Sequence, residues 1–413
     1  MKTQETIRDD GLRIITGKVP SKKAHMRLIA KVGSAYDPPH QQGLFHYFEH
    51  MAFKGTKQRT VEEIRSFSRR NILNSNASTG RLATTYEGEA VYKKFFRLCD
   101  FLCDLYSNSN FPPEEIEREQ EVVLNEIARD QDQDNYIAFW KLWEALWQSN
   151  PLRIFGVGTP EGVRSVDRDT LMAAKEKWYV PSNTIAIAVG KVDHNEFVSE
   201  LNRHIPENAK TVARLTWEDE YETTPHQPEV IVERPQREKA TIVFGCKFPL
   251  RTDDGHAATS KLLQYTLVTG AGSLLWRELR EKRGLAYSLS GGVTNEYPLG
   301  AHFYVSVETM PDRIDTVREL VPPILLQPFS NQKIFEETKE YLADWHTLDY
   351  EELHRWASLL QNELQKGKAP KSTERYLSRF HKAISSVTID EVEELRKTTF
   401  TPERFATVVI KPT

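Results

Sequence analysis

The stretch GLFHYFEHMAFKGT, residues 43–56, carries two histidines and a glutamate at spacings that suit a metal site. His46 and His50 stand four residues apart, so on a helix both lie on one face, with Cβ atoms about 5–6 Å apart. Glu49 overhangs the same side and can reach a metal-bound water rather than the metal. The pattern predicts a helix with two ligands and a general base. The alternative is an amphipathic helix that happens to carry two histidines.

A third ligand is needed, because a catalytic zinc normally has three protein ligands and one open position. The helical run EEIEREQEVVLNEIARD, residues 114–130, carries Glu119 and Glu126 seven positions apart and nearly on one stripe. Either carboxylate could close the site, and spacing alone does not choose between them. Without the histidines, both glutamates would be typical of a solvated helix face in an acidic run.

Segments of the first half of the chain recur in the second half, which fixes the architecture before any motif does. Residues 165–190 are echoed by residues 386–411 at an offset of 221, each as a capped helix, a proline stop and an apolar strand. The acidic helical run recurs at an offset of 218, and the strand and helix around the histidines at 215. The metal motif does not recur, since Lys261, Gln264 and Tyr265 occupy its positions.

The repeat predicts two homologous domains. Its 413 residues also exceed the size of about 250–300 at which single cores stop growing. We place the N-terminal domain at 1–210, a linker at 211–227 and the C-terminal domain at 228–413, because the intervening stretch is acidic, contains proline and lacks either periodicity. Strands and helices mix without strict βαβ alternation. The predicted fold class is α+β, each domain being a mainly antiparallel or mixed sheet covered by helices.

The composition of the chain limits the partners and the compartment that can be expected. A formal charge of −4 and a pI near 6.3 give no reason to expect nucleic acid or an anionic membrane surface as a partner. The first twenty residues have no apolar block typical of a leader, and no run approaches the roughly 18 apolar residues of a membrane span. We expect a soluble cytoplasmic protein. The three cysteines, two of them at helical spacing, suit buried reduced thiols.

The motif HYFEHMAFKGT resembles the inverted zinc motif of the pitrilysin-type metallopeptidases, the inverzincins, which include the mitochondrial processing peptidases and insulin-degrading enzyme. In that family the ligand carboxylate lies on a helix about 75 residues past the second histidine. Glu126 is 76 positions after His50. The resemblance therefore implies His46, His50 and Glu126 as ligands of one Zn²⁺ per chain. It also implies Glu49 as general base and Glu119 as a carboxylate that orients the site.

Two further stretches resemble substrate-binding motifs of the same family. NSNASTGRLATTY, residues 74–86, resembles an edge strand on which the substrate peptide lies, with Asn76 and Ala77 as contacts. LREKRGLAY, residues 279–287, has Arg280 and Tyr287 at the family's seven-residue spacing, where arginine binds a substrate carbonyl and tyrosine donates to a developing oxyanion. Without the resemblance, an ordinary Thr-rich strand, a solvated arginine and a packed tyrosine are the alternatives.

The resemblance implies a zinc metalloendopeptidase that hydrolyses peptides or unfolded segments in an enclosed chamber, with Glu49 activating a zinc-bound water. Because the chain holds two domains, it also implies a homodimer, or a heterodimer with a homologous chain. The alternative is a non-catalytic peptide-binding or assembly subunit of a processing-peptidase-like heterodimer. Such subunits usually lack part of the zinc motif, whereas this chain has all of it.

Overall fold

In the computed structural model, which describes residues 1–413, the chain forms two mixed β-sheets with helices packed on them. Packing divides the chain into two compact units. The first unit consists of Met1–Arg129, Phe155–Thr216 and Asp349–Arg375, and the second unit of Asp130–Ile154, Trp217–Leu348 and Tyr376–Thr413. This arrangement confirms the predicted α+β fold class.

The first unit contains a six-stranded sheet. Its strands are β1 (Lys2–Ile7), β2 (Arg13–Lys18), β3 (Lys23–Ala30), β4 (Asn74–Thr79), β5 (Thr84–Val91) and β6 (Thr184–Gly190). Their order across the sheet is β1-β2-β6-β3-β5-β4, and only the β2–β6 pair is parallel. Strand β4 therefore lies at an edge of the sheet, with one side of its backbone open to further pairing.

The second unit contains a five-stranded sheet with the same connectivity. Its strands are β7 (Glu229–Arg234), β8 (Ala240–Phe248), β9 (Ser288–Glu296), β10 (Gly300–Thr309) and β11 (Phe405–Pro412). Their order is β7-β11-β8-β10-β9, and only the β7–β11 pair is parallel. Each strand thus matches one strand of the first sheet, β9 matching the edge strand β4. This match is the structural form of the sequence repeat.

Helices cover both sheets. Those assigned wholly or mainly to the first unit are α1 (Leu44–Met51), α2 (Val61–Asn71), α3 (Phe95–Asn108), α4 (Pro113–Asp132), α6 (Pro160–Arg164), α7 (Arg168–Trp178), α8 (His194–His204) and α12 (Leu353–Gln365). Those of the second unit are α5 (Asp134–Leu146), α9 (Asp254–Leu267), α10 (Ile314–Leu326), α11 (Gln332–Asp349), α13 (Tyr376–Ser386) and α14 (Ile389–Thr399). A short π-helical segment, Trp276–Glu281, stands where the repeat places α2.

The two units are not continuous in sequence, because each takes one helix from the other half of the chain. Helix α5 packs on β8 and β11 of the second unit, and α12 packs on β3 and β6 of the first. These helices explain why β6 and β8 are buried along their whole length. Strands covered on both faces read as continuous apolar runs rather than alternating ones. The predicted domain limits, 1–210 and 228–413, follow the sequence repeat and stay a prediction.

The segment predicted as a linker forms no regular helix or strand, yet part of it is firmly held within the second unit. Glu220 is buried, and its carboxylate accepts hydrogen bonds from the backbone N–H groups of residues 148–150 at 2.7 to 2.8 Å. The Lys247 ammonium donates to the carbonyl of Glu220 at 2.7 Å. A buried carboxylate needs such partners, because burial of an unpaired charge is costly.

Each unit has its own apolar core between sheet and helices. In the first unit Met26 and Leu28 of β3 meet Leu98 and Leu102 of α3, and all four are fully buried. In the second, Phe244 and Phe303 lie among the buried side chains of α9 and α10. Cys99, Cys103 and Cys246 are buried free thiols, as predicted. None of the helices combines the length and the apolar composition that a membrane span requires.

Candidate metal centre

Helix α1 carries the histidines, and its first turn is fixed by Asp37. Gly43, at the N-cap, has φ of +100°, a conformation that favours glycine. The Asp37 carboxylate accepts hydrogen bonds from the N–H groups of Gly43 at 2.7 Å and Phe45 at 3.1 Å. These N–H groups otherwise have no partner within the helix. Burial raises the pKa of Asp37 to about 7, against the lowering effect of those two bonds.

Helix α4 lies across α1 and brings its glutamates to the histidines. The Tyr47 hydroxyl donates to the carbonyl oxygen of Ile116 at 2.5 Å, which ties the two helices together. Val123 and Ile127 of α4 are fully buried in the core of the first unit. Glu119 and Glu126 are seven residues apart on α4, about two helical turns, and both lie against His50 of α1.

The ligating atoms of His46, His50 and Glu126 all lie within 4.8 Å of one another. The two imidazole rings have centroids 4.8 Å apart and planes at 80°. His50 Nε2 lies 3.5 Å from Glu126 Oε2. Three donor atoms at these separations can converge on one divalent ion, and two imidazoles with one carboxylate form a donor set that suits zinc.

Glu119 orients one of these rings. It is 3% exposed, and its Oε1 lies 2.8 Å from His50 Nδ1. A carboxylate at Nδ1 selects the tautomer with hydrogen on that nitrogen, which leaves the lone pair of Nε2 directed toward Glu126. The Lys54 ammonium lies 2.5 Å from the other oxygen of Glu119. Lys54, Glu119 and His50 therefore form a chain of charge-assisted contacts, in which Lys54 and Glu119 lie behind the candidate ligand His50.

The charges at the site favour a cation. Burial alone lowers the pKa of His50, but the Glu119 hydrogen bond and the charges of nearby glutamates outweigh it, and the pKa is raised. Burial also raises the pKa of Glu49, and the lowering by Thr79 and His50 does not cancel it. For Glu119, the bonds from His50 and Lys54 outweigh burial, and the pKa is lowered. Several carboxylates around two imidazoles create a negative potential, which is the electrostatic setting a divalent ion needs.

Glu49 lies on α1 beside the ligands but is not part of the ligand cluster. Its Oε2 accepts a hydrogen bond from the Thr79 hydroxyl at 2.9 Å. Thr79 is the last residue of β4, so the carboxylate is held between the metal centre and the edge of the sheet. A carboxylate in this position can exchange a proton with a water or substrate atom near the metal.

The segment predicted as one substrate edge strand forms two strands. Residues 74–79 form β4 at the edge, whereas residues 84–91 form β5, one place further in. The chain reverses at Gly80, whose N–H donates to the carbonyl of Ala83 at 2.9 Å. Asn76 is exposed on β4, and Ala77 is buried against the core. Their assignment as substrate contacts stays a prediction.

Arg280 and Tyr287 belong to the second unit. Arg280 lies in the π-helical segment, and its guanidinium donates to the carbonyl oxygens of Ala286, at 2.9 Å, and Tyr287. The side chain of Tyr287 is 53% exposed, with the Lys239 ammonium 4.9 Å from the ring centroid. The arginine thus supports the backbone that presents the tyrosine. Their contact with a substrate stays a prediction.

Reasoning from the sequence missed three residues of the site. Lys54 stands one helical turn after His50 and within the motif, but a lysine there gives no sign of its partner. Thr79 lies within residues 74–86, which resemble the substrate strand, but no role was predicted for it. No role was predicted for Asp37, and its position shortly before a glycine and a helix is the signal that could have identified it as a capping residue. Lys54 and Thr79 act through contacts that only the fold brings together, whereas the hydrogen bonds of Asp37 are local.

Fold and site together define a class of protein in which the first of two sheet-and-helix units carries a His-x-x-Glu-His motif that the second unit lacks. Residues 13–158 match the family model described as Insulinase (Peptidase family M16), and residues 165–342 match the model described as Peptidase M16 inactive domain. The chain belongs to the M16 (insulinase) family of peptidases. The description of the second model agrees with the absence of the metal motif at the matching positions of the second unit.

Relatives carry related descriptions. A protein of Rickettsia bellii (strain RML369-C), described as an uncharacterized zinc protease, is 29% identical over 310 residues, 74% of this chain and 73% of its own length. Mitochondrial-processing peptidase subunit beta of Rattus norvegicus is 30% identical over 203 residues, 49% of this chain and 42% of its own length. The crystal structure of a protease from Helicobacter pylori has a TM-score of 0.86 and 17% identity, covering 100% of this chain and 99% of that one. At that identity the match supports the fold alone.

Proposed function

We propose that this protein is a zinc-dependent endopeptidase in which His46, His50 and Glu126 hold one zinc ion and Glu49 is the general base. The observation that carries the proposal is the convergence of the three ligating atoms within 4.8 Å, with Glu49 adjacent on the same helix. A bound zinc ion supplies a Lewis acid that polarises the substrate carbonyl and lowers the pKa of water toward about 7.

The residues of this chain perform the proton transfers. The Glu49 carboxylate accepts a proton from the attacking water, whose oxygen forms a bond to the carbonyl carbon of the peptide. The C–N bond then breaks, and the same carboxylate returns the proton to the leaving amine.

The proposed substrate is a peptide or unfolded segment that pairs with the edge strand β4, where Asn76 and Ala77 lie. Arg280 and Tyr287 are proposed to contact the substrate carbonyl and the developing oxyanion. We further propose that the chain forms a homodimer, or a heterodimer with a homologous chain, and that this dimer encloses the site. The proposed compartment is the cytoplasm. The two sequence domains, 1–210 and 228–413, are the proposed halves of each subunit.

Glu49→Gln tests the proposal. The amide cannot take up a proton but is nearly isosteric, so we expect one zinc per chain to remain and cleavage of a quenched peptide to fall by about 10²- to 10⁴-fold. The matched control is Glu121→Gln, an exposed position on α4, which should cleave at the wild-type rate. Metal analysis and the peptide assay, with and without chelator, give the two readouts. Cleavage by Glu49→Gln at the wild-type rate would contradict the assignment.

A second candidate function is a non-catalytic peptide-binding subunit. The observation that favours it is the match of residues 165–342 to a model described as an inactive domain. This candidate predicts peptide binding without cleavage by the wild-type chain loaded with zinc. The complete set of ligands and base in the first unit favours the enzyme instead.

A further inference from the structure

The Glu49 carboxylate is hydrogen-bonded to the edge strand β4, a contact that the proposed reaction does not itself require. The Thr79 hydroxyl lies 2.9 Å from Glu49 Oε2 and 3.2 Å from the carbonyl oxygen of Phe45. A hydroxyl has one hydrogen to donate. Both possible acceptors, the Glu49 carboxylate and the Phe45 carbonyl in the first turn of α1, lie close to it. The bond restrains Glu49, a side chain that otherwise has three rotatable bonds.

The second unit provides an independent comparison. Gln264 occupies the position of Glu49 in the repeat, on α9. Its Oε1 accepts a hydrogen bond from the backbone N–H of Val293, in β9, at 3.4 Å. In both units, therefore, the side chain at this helix position is held by the edge strand of the sheet. The helix position and the edge strand are joined even where no metal motif exists.

We infer that Thr79 is a positioning residue that fixes the Glu49 carboxylate and links its orientation to the strand on which the peptide lies. Thr79 ends β4, so a peptide that adds to this edge changes the environment of the residue that holds the base. The inference rests on the proposed function for its kinetic consequence. The contact itself does not depend on zinc.

Thr79→Val tests the inference, because it removes the hydroxyl and keeps the shape of the side chain. We expect kcat for a quenched peptide to fall roughly 10- to 100-fold, the range of one hydrogen bond to a charged group. KM should stay within about twofold, because the peptide still pairs with β4. Thr79→Ser retains the hydroxyl and should restore kcat to within about threefold of the wild type. If Thr79→Val does not fold, Thr79→Ala replaces it in the same comparison.

The control is Thr398→Val, which removes an exposed hydroxyl of α14 in the second unit and should leave both constants unchanged. A second readout needs no activity: in a crystal structure of metal-free Thr79→Val, the Glu49 carboxylate should leave the position it has in the wild type. Wild-type kcat in Thr79→Val, or equal losses in the valine and serine variants, would overturn the inference. If zinc-loaded wild type cleaves no peptide, the proposed function fails, while the Glu49 position still tests Thr79.

Discussion

The two units share one strand order and differ in what they place on it. In the first unit, α1 and α4 bring two histidines and two glutamates together above the edge of the sheet. In the second, the matching α9 presents Lys261, Gln264 and Tyr265, and the Tyr265 ring lies 5.9 Å from that of Tyr341 on α11. The fold therefore does not require the metal residues. Their presence in one unit only agrees with the proposed role in chemistry rather than in packing.

The acidic helices sharpen this comparison. At the offset of 218 residues, Glu337 and Asp344 of α11 stand opposite Glu119 and Glu126 of α4. Acidic residues are thus kept at both positions, but the partners differ. Glu119 is buried against His50, whereas the side chain of Glu337 is 61% exposed and pairs with Lys333 on its own helix. The same helix position therefore places a carboxylate against an imidazole in the first unit and an exposed carboxylate in the second.

The largest effect is expected from His50→Ala, which removes one ligand. Zinc affinity should fall by well over about a hundredfold, since loss of a residue behind the ligand alone typically costs 10- to 100-fold. Competition with a chromogenic chelator measures the affinity. The matched change in the second unit is Tyr265→Ala, which should leave zinc binding unchanged. Full stoichiometric zinc in His50→Ala would show that the helix pair is not the metal site.

The sequence predicted the fold class and repeat because both follow from patterns along the chain. Offsets of 215 to 221 located matching helices and strands correctly, as with α7 and α14. The packing of α5 on the second sheet and of α12 on the first was not predictable. The sequence of an amphipathic helix does not specify the sheet on which its apolar face packs. The helix pair His46 and His50 was predictable from spacing alone. Glu126 was not, because residues 76 positions apart meet only through packing, and the choice came from the resemblance.

Glu119→Gln should have the next largest effect. The amide removes the negative charge that faces His50 and Lys54, so zinc affinity should fall by about 10- to 100-fold while the ligand set stays complete. The same chelator competition measures it. Glu337→Gln, at the matching position of α11, is the control and should have no effect. Equal affinities for Glu119→Gln and the wild type would mean that His50 needs no support from α4.

The second unit should be the more sensitive of the two to acid, because His346 of α11 is buried there. Its ring lies 3.9 Å from that of Phe380, and burial first, then the charges of His381 and Lys261, lower its pKa from 6.5 to about 4. The unfolded chain binds a proton below about pH 6.5, and the folded chain only near pH 4. The contribution of neutral His346 to stability is therefore complete above pH 6.5 and is lost as pH falls toward 4.

Between pH 8 and pH 5 this loss should amount to about 1–2 kcal/mol. Hydrogen exchange at both pH values should show faster opening of amides in α11 and α13 than in α4. His346→Leu should reduce this pH dependence, whereas His40→Gln, an exposed histidine, should not. An unchanged pH dependence in His346→Leu would assign the acid sensitivity to other groups.

The smallest effects are expected at two helix starts that are nearly identical in geometry. Thr60 of α2 and Thr388 of α14 each form a capping box, with backbone N–H groups donating to Glu63 at 2.8 Å and to Glu391 at 2.7 Å. Thr60→Ala and Thr388→Ala should each lower the free energy of unfolding by about 1 kcal/mol, because one cap is lost. Urea denaturation of the zinc-free protein measures this.

Neither cap touches the metal residues, so zinc affinity should stay unchanged in both variants. Since the two caps match closely, any difference between their effects reports a difference between the units rather than between the bonds. A loss of zinc affinity in Thr60→Ala but not in Thr388→Ala would show that the metal centre depends on the whole first unit. Equal affinities would confine that dependence to α1, α4 and the end of β4, the elements that hold the candidate ligands, Glu119 and Thr79.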